Sequence, residues 1–313
     1  MDRDLVTIAD IKGREEAEKL FWLADDIKAE EAKEQSIKRY TSGYANTLRR
    51  KQVAMLFFEP STRTRFSFES SVNKLGGKKL AMSSSSSSST VKGESIEDTV
   101  RTIMGYADAI VMRHSEDDAV RRAASVSEVP VINAGSGTAH HPTQSLLDVY
   151  TLRKLKDKID GLSIAVLGDL KHGRTTHSLV ELLSLYEDIK VYGFAPKGLE
   201  MPEEYIDSMS RKGIKYTTCE NFEDIPRDVD ALYSTRIQRE RFECTGVKEE
   251  DYRIDAKRLS RFSQGTLVMH PLPRNGELST DIDNDPRAVY FKQAHNGVPV
   301  RQAILCNLIG NER

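Results

Sequence analysis

Residues 53–77 read VAMLFFEPSTRTRFSFESSVNKLGG. The run Val53–Phe58 is apolar and short, the length of a buried strand, and Pro60 closes it. From Ser61 onward the pattern becomes that of a helix, which stops at Gly76-Gly77, where a left-handed residue can end a helix. A strand that turns directly into a helix is half of a βα unit. The same alternation recurs along the chain and predicts a mostly parallel sheet.

Upstream, the spacing of Ala17, Leu20, Phe21, Ala24 and Ile27 predicts a helix over about 15–33 with one buried face. Downstream, Ser95-Ile96-Glu97-Asp98 resembles a capping box for a helix that feeds the strand Ala109–Met112. A helix near Asp117–Ser125 leads to the strand Val129–Asn133, and Pro142 suits the first turn of a helix over 142–155. Charged residues 154–161 end in Asp160-Gly161 and mark a boundary near 145–160. Beyond it come strand Ile164–Leu170, helix Thr175–Tyr186, strand Lys190–Phe194, helix Glu203–Lys212, and strands Ala231–Ser234 and Thr266–Met269. A final apolar helix, Val300–Ile309, is compatible with packing on either half. The expected fold class is α/β, with two domains that are each a mostly parallel sheet flanked by helices.

The chain has 313 residues, enough for two domains, and roughly three-quarters of its unfolded surface can be buried on folding. Its three cysteines (Cys219, Cys244, Cys306) show no CxxC spacing, which argues against a disulfide framework and a cysteine zinc site. No apolar run approaches the ~20 residues of a membrane span, and Asp2, Arg3 and Asp4 do not read as a signal peptide, so a cytoplasmic location is expected. A formal net charge of −2 gives no global attraction to nucleic acid or anionic membrane.

Ligands of open α/β sheets bind beyond the carboxyl ends of the strands. In the first half that edge receives Ser61-Thr62-Arg63-Thr64, then Arg113-His114, then His140-His141. Hydroxyls, backbone N–H groups and a guanidinium at one helix start suit a phosphate, although an ordinary helix cap uses the same Pro-Ser-Thr chemistry. In the second half the edge receives Arg174, then Arg236 and Gln238, then His270-Pro271-Leu272-Pro273-Arg274. Two arginines at two strand ends can hold two carboxylates, as in a small dianion; a solvated basic stretch, Arg236, Arg239 and Arg241 beside Glu240 and Glu243, is the competing reading.

Gly168-x4-Gly173-Arg174-Thr175 has P-loop spacing, but with arginine in place of the lysine that acts as a compact charge among phosphates. A nucleotide hydrolase therefore remains a minor alternative. No G-x-G-x-x-G follows a strand, and neither H-E-x-x-H nor G-x-S-x-G occurs. Seven consecutive serines, Ser83–Ser89, read by themselves as a solvated linker.

Ser61-Thr62-Arg63-Thr64-Arg65 followed by Ser67-Phe68-Glu69 resembles the carbamoyl-phosphate signature of the transcarbamoylases. The resemblance extends through Met112-Arg113-His114, His141-Pro142-Thr143-Gln144, Gly173-Arg174-Thr175 with His177-Ser178, Thr235-Arg236 with Gln238, and His270-Pro271-Leu272-Pro273-Arg274. Ornithine-specific members place a cysteine in a His-Cys-Leu-Pro motif; Pro271 stands there in this chain and favours aspartate as the acceptor.

The resemblance implies transfer of the carbamoyl group of carbamoyl phosphate to the α-amino group of L-aspartate, giving N-carbamoyl-L-aspartate and phosphate in pyrimidine biosynthesis. It implies a carbamoyl-phosphate-binding domain over 1–145, an aspartate-binding domain over 146–297, a C-terminal helix (about 298–313) packed back on the first, and an active site in the cleft between the domains. Ser61, Thr62, Arg63 and Thr64 would hold the phosphate, and Arg63 would neutralise the leaving group. Thr64, Arg113 and His141 would polarise the carbamoyl oxygen. Gln144 and the main chain at Leu272 and Pro273, joined by a cis bond, would orient the carbamoyl nitrogen and the amine.

Arg174, Arg236 and Gln238 would receive the aspartate carboxylates. Ser88 and Lys92, from a neighbouring chain of a homotrimer, would complete each site. No metal, cofactor or covalent intermediate is expected, and the acceptor of the amine proton is left open between His141 and the departing phosphate. The resemblance also allows a separate regulatory chain as a partner.

Overall fold

The structure is a computed structural model that describes residues 3–37, 43–82, 93–238 and 251–310. The chain divides into two compact units, residues 1–147 with 295–313, and residues 148–294. Both are α/β.

In the first unit, α1 (Arg14–Ile37) buries Ala17, Leu20, Phe21, Ala24 and Ile27, the face the spacing predicts. Strand β1 (Gln52–Phe57) runs through Ser61, the N-cap, into α2 (Thr62–Lys74), and Gly76 at φ 75° closes the turn. A Cβ at Gly76 would lie 2.3 Å from the Ala45 carbonyl oxygen, so that position excludes any side chain. The unit continues through β2 (Lys78–Ala81), α3 (Ile96–Ile103), β3 (Ala109–His114), α4 (Ala119–Val126), β4 (Val131–Ser136) and the start of α5 (Pro142–Lys156). Ser95 caps α3 by accepting from the Asp98 N–H, as the sequence suggests.

The strand order is β2-β1-β3-β4 and every pair is parallel. Ala54, Leu56, Ile110, Met112 and Val131 from the sheet pack with Ile96, Val100 and Val120 from its helices. Burial of each such aliphatic side chain is worth about 1.5–3 kcal/mol.

The second unit holds β5 (Ser163–Leu167), α6 (Arg174–Leu183), β6 (Lys190–Phe194), α7 (Glu203–Arg211), β7 (Lys215–Thr218), β8 (Ala231–Ser234), α8 (Ala256–Leu259) and β9 (Leu267–Met269). Its order is β7-β6-β5-β8-β9, again parallel throughout. Phe194, Phe222 and Phe262 form its aromatic core, with edge-on ring contacts at 5.9 and 5.6 Å.

Several elements differ from the sequence reading. β5 ends at Leu167 because Gly168 turns the chain at φ 108°. Short β2 and β7 go unpredicted, since both are polar edge strands with mostly exposed residues. The last helix, α9 (Tyr290–Ile309), begins well before Val300 and contains Pro299. The helix carries this proline at the cost of one internal hydrogen bond.

In both sheets the chain moves outward in one direction and then returns to the other side of its first strand. The reversal falls between β1 and β3 in the first unit and between β5 and β8 in the second. Such switch points open a crevice at the carboxyl ends of the two strands.

Candidate active site

Ser61–Thr64 and Arg113 lie at the switch point of the first unit, and His141 and Gln144 follow the adjacent strand β4. Ser61, Thr62, Arg63 and Thr64 follow β1, and Arg113 lies on β3 directly beside Phe57 in the parallel register. The first turn of α2 carries no acidic residue, and the Ser61 side chain makes no cap hydrogen bond. Its hydroxyl and the positive end of the helix thus suit an anion. Thr62 and Arg63 are exposed, whereas Thr64 is buried.

The Arg113 guanidinium is aimed by Glu59, 3.0 Å from its Nε, and by a 3.2 Å bond from Nη1 to the Ala134 carbonyl. One neighbour is acidic and the other is main chain, so the planar group is fixed in direction.

His141 directly precedes α5, Gln144 lies in its first turn, and both are buried. A tight turn presents them: the Ser136 N–H donates to the His140 carbonyl at 3.0 Å, and the Asp117 carboxylate accepts from the Thr138 N–H at 2.6 Å. Asn133 braces the turn by accepting from the Gly135 N–H at 2.7 Å and donating to Ser136 Oγ at 3.0 Å. Burial pushes His140 below the ordinary histidine value, which leaves a neutral imidazole at neutral pH.

A residue the sequence reading missed lies behind these groups. Arg301 of α9 is buried, donates to Ser67 Oγ at 2.9 Å and to Thr143 Oγ1 at 3.4 Å, and stacks over Phe68. One guanidinium thereby ties α2 to α5 just behind Thr64 and Gln144.

The second unit gathers its residues in the same way. Gly168 closes β5 where a Cβ would lie 2.1 Å from the Thr235 carbonyl oxygen, so the ends of β5 and β8 meet only because no side chain is there. Arg174 is the first residue of α6 and is largely buried, and Arg236 and Gln238 follow β8. Asp169, fully buried, accepts from the His172 N–H at 2.9 Å and the Gln238 N–H at 3.4 Å, while Gln238 Nε2 donates to the His172 carbonyl at 2.7 Å. These bonds lock the two loops into one surface. Asp169 escaped notice in the sequence because its role needs Gln238, 69 residues away.

Leu272 and Pro273 follow β9 and are joined by a cis peptide bond, as the resemblance implied. Arg274 grips Asp283 with both terminal nitrogens, Nη2 to Oδ2 at 2.7 Å, and Tyr290 also donates to Asp283. Hydrogen bonds from Arg274 hold the Asp283 carboxyl at about 2, against burial. With the folded value below the unfolded one, this stabilisation is complete above about pH 4 and is lost as pH falls through 2. Asp283→Asn is therefore expected to flatten the acid limb of stability between pH about 4 and 2, read as the urea midpoint against pH.

Ser88 and Lys92 lie outside the described residues, as do Arg239, Arg241 and Cys244. Among the described residues no group of three or more His, Cys, Asp or Glu side chains could hold a metal ion, and no helix is long and apolar enough to cross a membrane.

Hydroxyls, arginines and a helix N-terminus at switch points of parallel sheets are the features of proteins that bind small polyanions. Residues 3–154 match the family model described as aspartate/ornithine carbamoyltransferase, carbamoyl-P binding domain, and residues 160–308 match its Asp/Orn binding domain. The chain belongs to this family.

It is 45% identical over 312 residues to the aspartate carbamoyltransferase catalytic subunit of Thermococcus gammatolerans, covering 98% of each chain. It is 48% identical over 262 residues to that of Methanocaldococcus jannaschii, covering 83% of this chain and 85% of the relative. The M. jannaschii catalytic subunit structure superposes with a TM-score of 0.87 at 43% identity over 98% of both chains. Aspartate transcarbamoylase from Trypanosoma cruzi in complex with N-(phosphonacetyl)-L-aspartic acid superposes with a TM-score of 0.90 at 36% identity, covering 98% of this chain and 96% of that one.

Proposed function

We infer that this chain transfers the carbamoyl group of carbamoyl phosphate to the α-amino group of L-aspartate, releasing N-carbamoyl-L-aspartate and phosphate. The observation that carries the reading is the Ser61–Thr64 helix start beside Arg113 at one switch point, in a chain whose relatives are named for aspartate over nearly its full length.

In this reading the α2 N-terminus, Ser61, Thr62, Arg63 and Thr64 hold the phosphate. Thr64, Arg113 and His141 face the carbamoyl oxygen and stabilise the negative charge it gains when the amine adds to the carbonyl carbon. The new C–N bond forms, the C–O bond to phosphate breaks, the amine gives up one proton to His141 or to the departing phosphate, and Arg63 neutralises the charge that collects on that phosphate. Gln144 and the carbonyls of Leu272 and Pro273 accept from the carbamoyl nitrogen and the incoming amine. Arg174, Arg236 and Gln238 take the two carboxylates of aspartate. The chemistry then rests on orientation and preorganised charge, and calls for no metal or cofactor.

The reading extends to a homotrimer in which Ser88 and Lys92 complete a neighbour's site, to a role in cytoplasmic pyrimidine biosynthesis, and to a separate regulatory chain as a partner. The last is supported by the relatives' description as catalytic subunits.

Phosphate release from carbamoyl phosphate, measured with L-aspartate or L-ornithine as acceptor, tests the reaction. Turnover with aspartate alone is expected. Arg236→Ala should raise the KM for aspartate about 100-fold or more, because one carboxylate loses a charge-assisted, two-pronged partner, while the Kd for inorganic phosphate stays unchanged. Turnover with ornithine alone would overturn the assignment of the acceptor.

A further inference from the structure

A buried chain of hydrogen bonds ends at the Leu272–Pro273 turn, and its direction can be worked out from groups that can only donate. The Leu272 N–H lies 2.8 Å from His270 Nδ1, so that nitrogen must accept, and the ring proton sits on Nε2, 2.7 Å from Glu277 Oε1. The His270 N–H lies 2.9 Å from Gln293 Oε1, which fixes the orientation of the Gln293 amide. Gln293 Nε2 then donates to Asp148 Oδ1 at 2.6 Å. Tyr233 donates to the other oxygen, Oδ2, at 2.7 Å. Asp148, Tyr233, His270, Glu277 and Gln293 are all buried. Burial and the Asp148 charge push the Tyr233 hydroxyl well above its ordinary value, so it remains a donor.

We propose that Gln293 is a positioning residue for the reaction: its amide, oriented by the Asp148 carboxylate, holds the His270 main chain and through it the Leu272–Pro273 turn. This rests on the reading that the Leu272 and Pro273 carbonyls orient the reacting nitrogens. The side chain touches no substrate. Reversing or removing the Gln293 amide would leave the His270 N–H facing a donor or a void, and would release the loop by an amount that matters where reacting atoms must align. The groups that face Gln293 are Asp148 from α5, itself held by Tyr233 from β8, and the His270 main chain after β9.

Gln293→Glu and Asp148→Asn test the proposal singly and together. Glutamate at position 293 keeps the shape but sets a second carboxyl against Asp148, and two such groups must share a proton. In that variant kcat/KM should fall about 10- to 100-fold as pH rises through a new ionisation absent from the parent protein, at temperatures where circular dichroism shows it fully folded. Asp148→Asn alone sets the new amide nitrogen against a group that itself donates to position 148, Gln293 Nε2 or the Tyr233 hydroxyl, and a comparable loss is expected at all pH values.

The double variant restores the donor–acceptor pairs from Tyr233 through positions 148 and 293 to the His270 N–H. Tyr233 donates to the amide oxygen introduced at position 148, the amide nitrogen there donates to the carboxylate introduced at position 293, and that carboxylate accepts from the His270 N–H. Activity should return to within about 5-fold of the parent, with the new ionisation gone. Parent-like kcat/KM and pH profile in Gln293→Glu, or a folded double variant no better than Asp148→Asn, would overturn the proposal. Phosphate affinity should stay constant throughout.

A readout independent of turnover is the ¹⁵N spectrum of the His270 ring. An accepting Nδ1 and a protonated Nε2 are expected in the parent, with perturbation in Asp148→Asn and recovery in the double variant. An inactive parent would refute the carbamoyl-transfer reading, while an unchanged His270 spectrum in Asp148→Asn would refute the positioning chain.

Discussion

The Arg63→Ala protein is expected to lose about 10³-fold or more in kcat/KM and to keep its fold. Loss of one preorganised donor to a developing negative charge costs about 10²- to 10³-fold, and in the proposed reaction Arg63 would supply a full positive charge as well. The side chain is exposed at the second position of α2, so truncation opens no cavity, and the helix keeps its Ser61 N-cap and Thr64. Steady-state kinetics with both substrates varied should show kcat falling alongside a raised KM for carbamoyl phosphate. The thermal midpoint should move by no more than a few degrees, as for other exposed substitutions. A loss smaller than about 10-fold would mean that the α2 N-terminus holds the anion without this guanidinium.

The second large effect is a gain. If Ser88 and Lys92 of one chain complete the site of its neighbour, Lys92→Ala is as inactive as Arg63→Ala, and yet the two should rescue one another when mixed. A working site needs an intact Arg63 from one chain and an intact Lys92 from the next. With equal mixing each is present at about half of the positions, so about one-quarter of parent activity should return after dissociation and reassembly. Native mass spectrometry would establish that mixed oligomers had formed, and mixed oligomers without activity would show that each site is built from a single chain.

Much of this architecture is legible from the sequence because burial leaves a periodic trace. Four of the interior strands, β1, β3, β5 and β8, are short apolar runs, and the α1 face is a helical stripe. β2 and β7 leave no such trace: Lys78, Lys79 and Lys215 lie on edges, where charge discourages pairing with other chains. The residues proposed to bind anions are legible for another reason, since hydroxyls and arginines directly after strands fall at the carboxyl edge of any parallel sheet. What supports them is not. Asp148 finds Gln293 across 145 residues and Arg301 finds Ser67 across 234, separations over which local pattern carries no information.

The first unit is discontinuous in sequence, because residues 148–294 are complete before 295–313 are added. On a ribosome the order of maturation is therefore reversed. The segment made first must wait roughly 10–30 s, at ordinary rates of synthesis, for α9, whose Arg301 and Gln302 reach back to Ser67 and Glu31. The continuous second unit has no such delay. During that interval the first half of the nascent protein carries uncovered apolar surface, the condition under which chaperones bind, and a lesion late in the chain injures the part that was synthesised earliest.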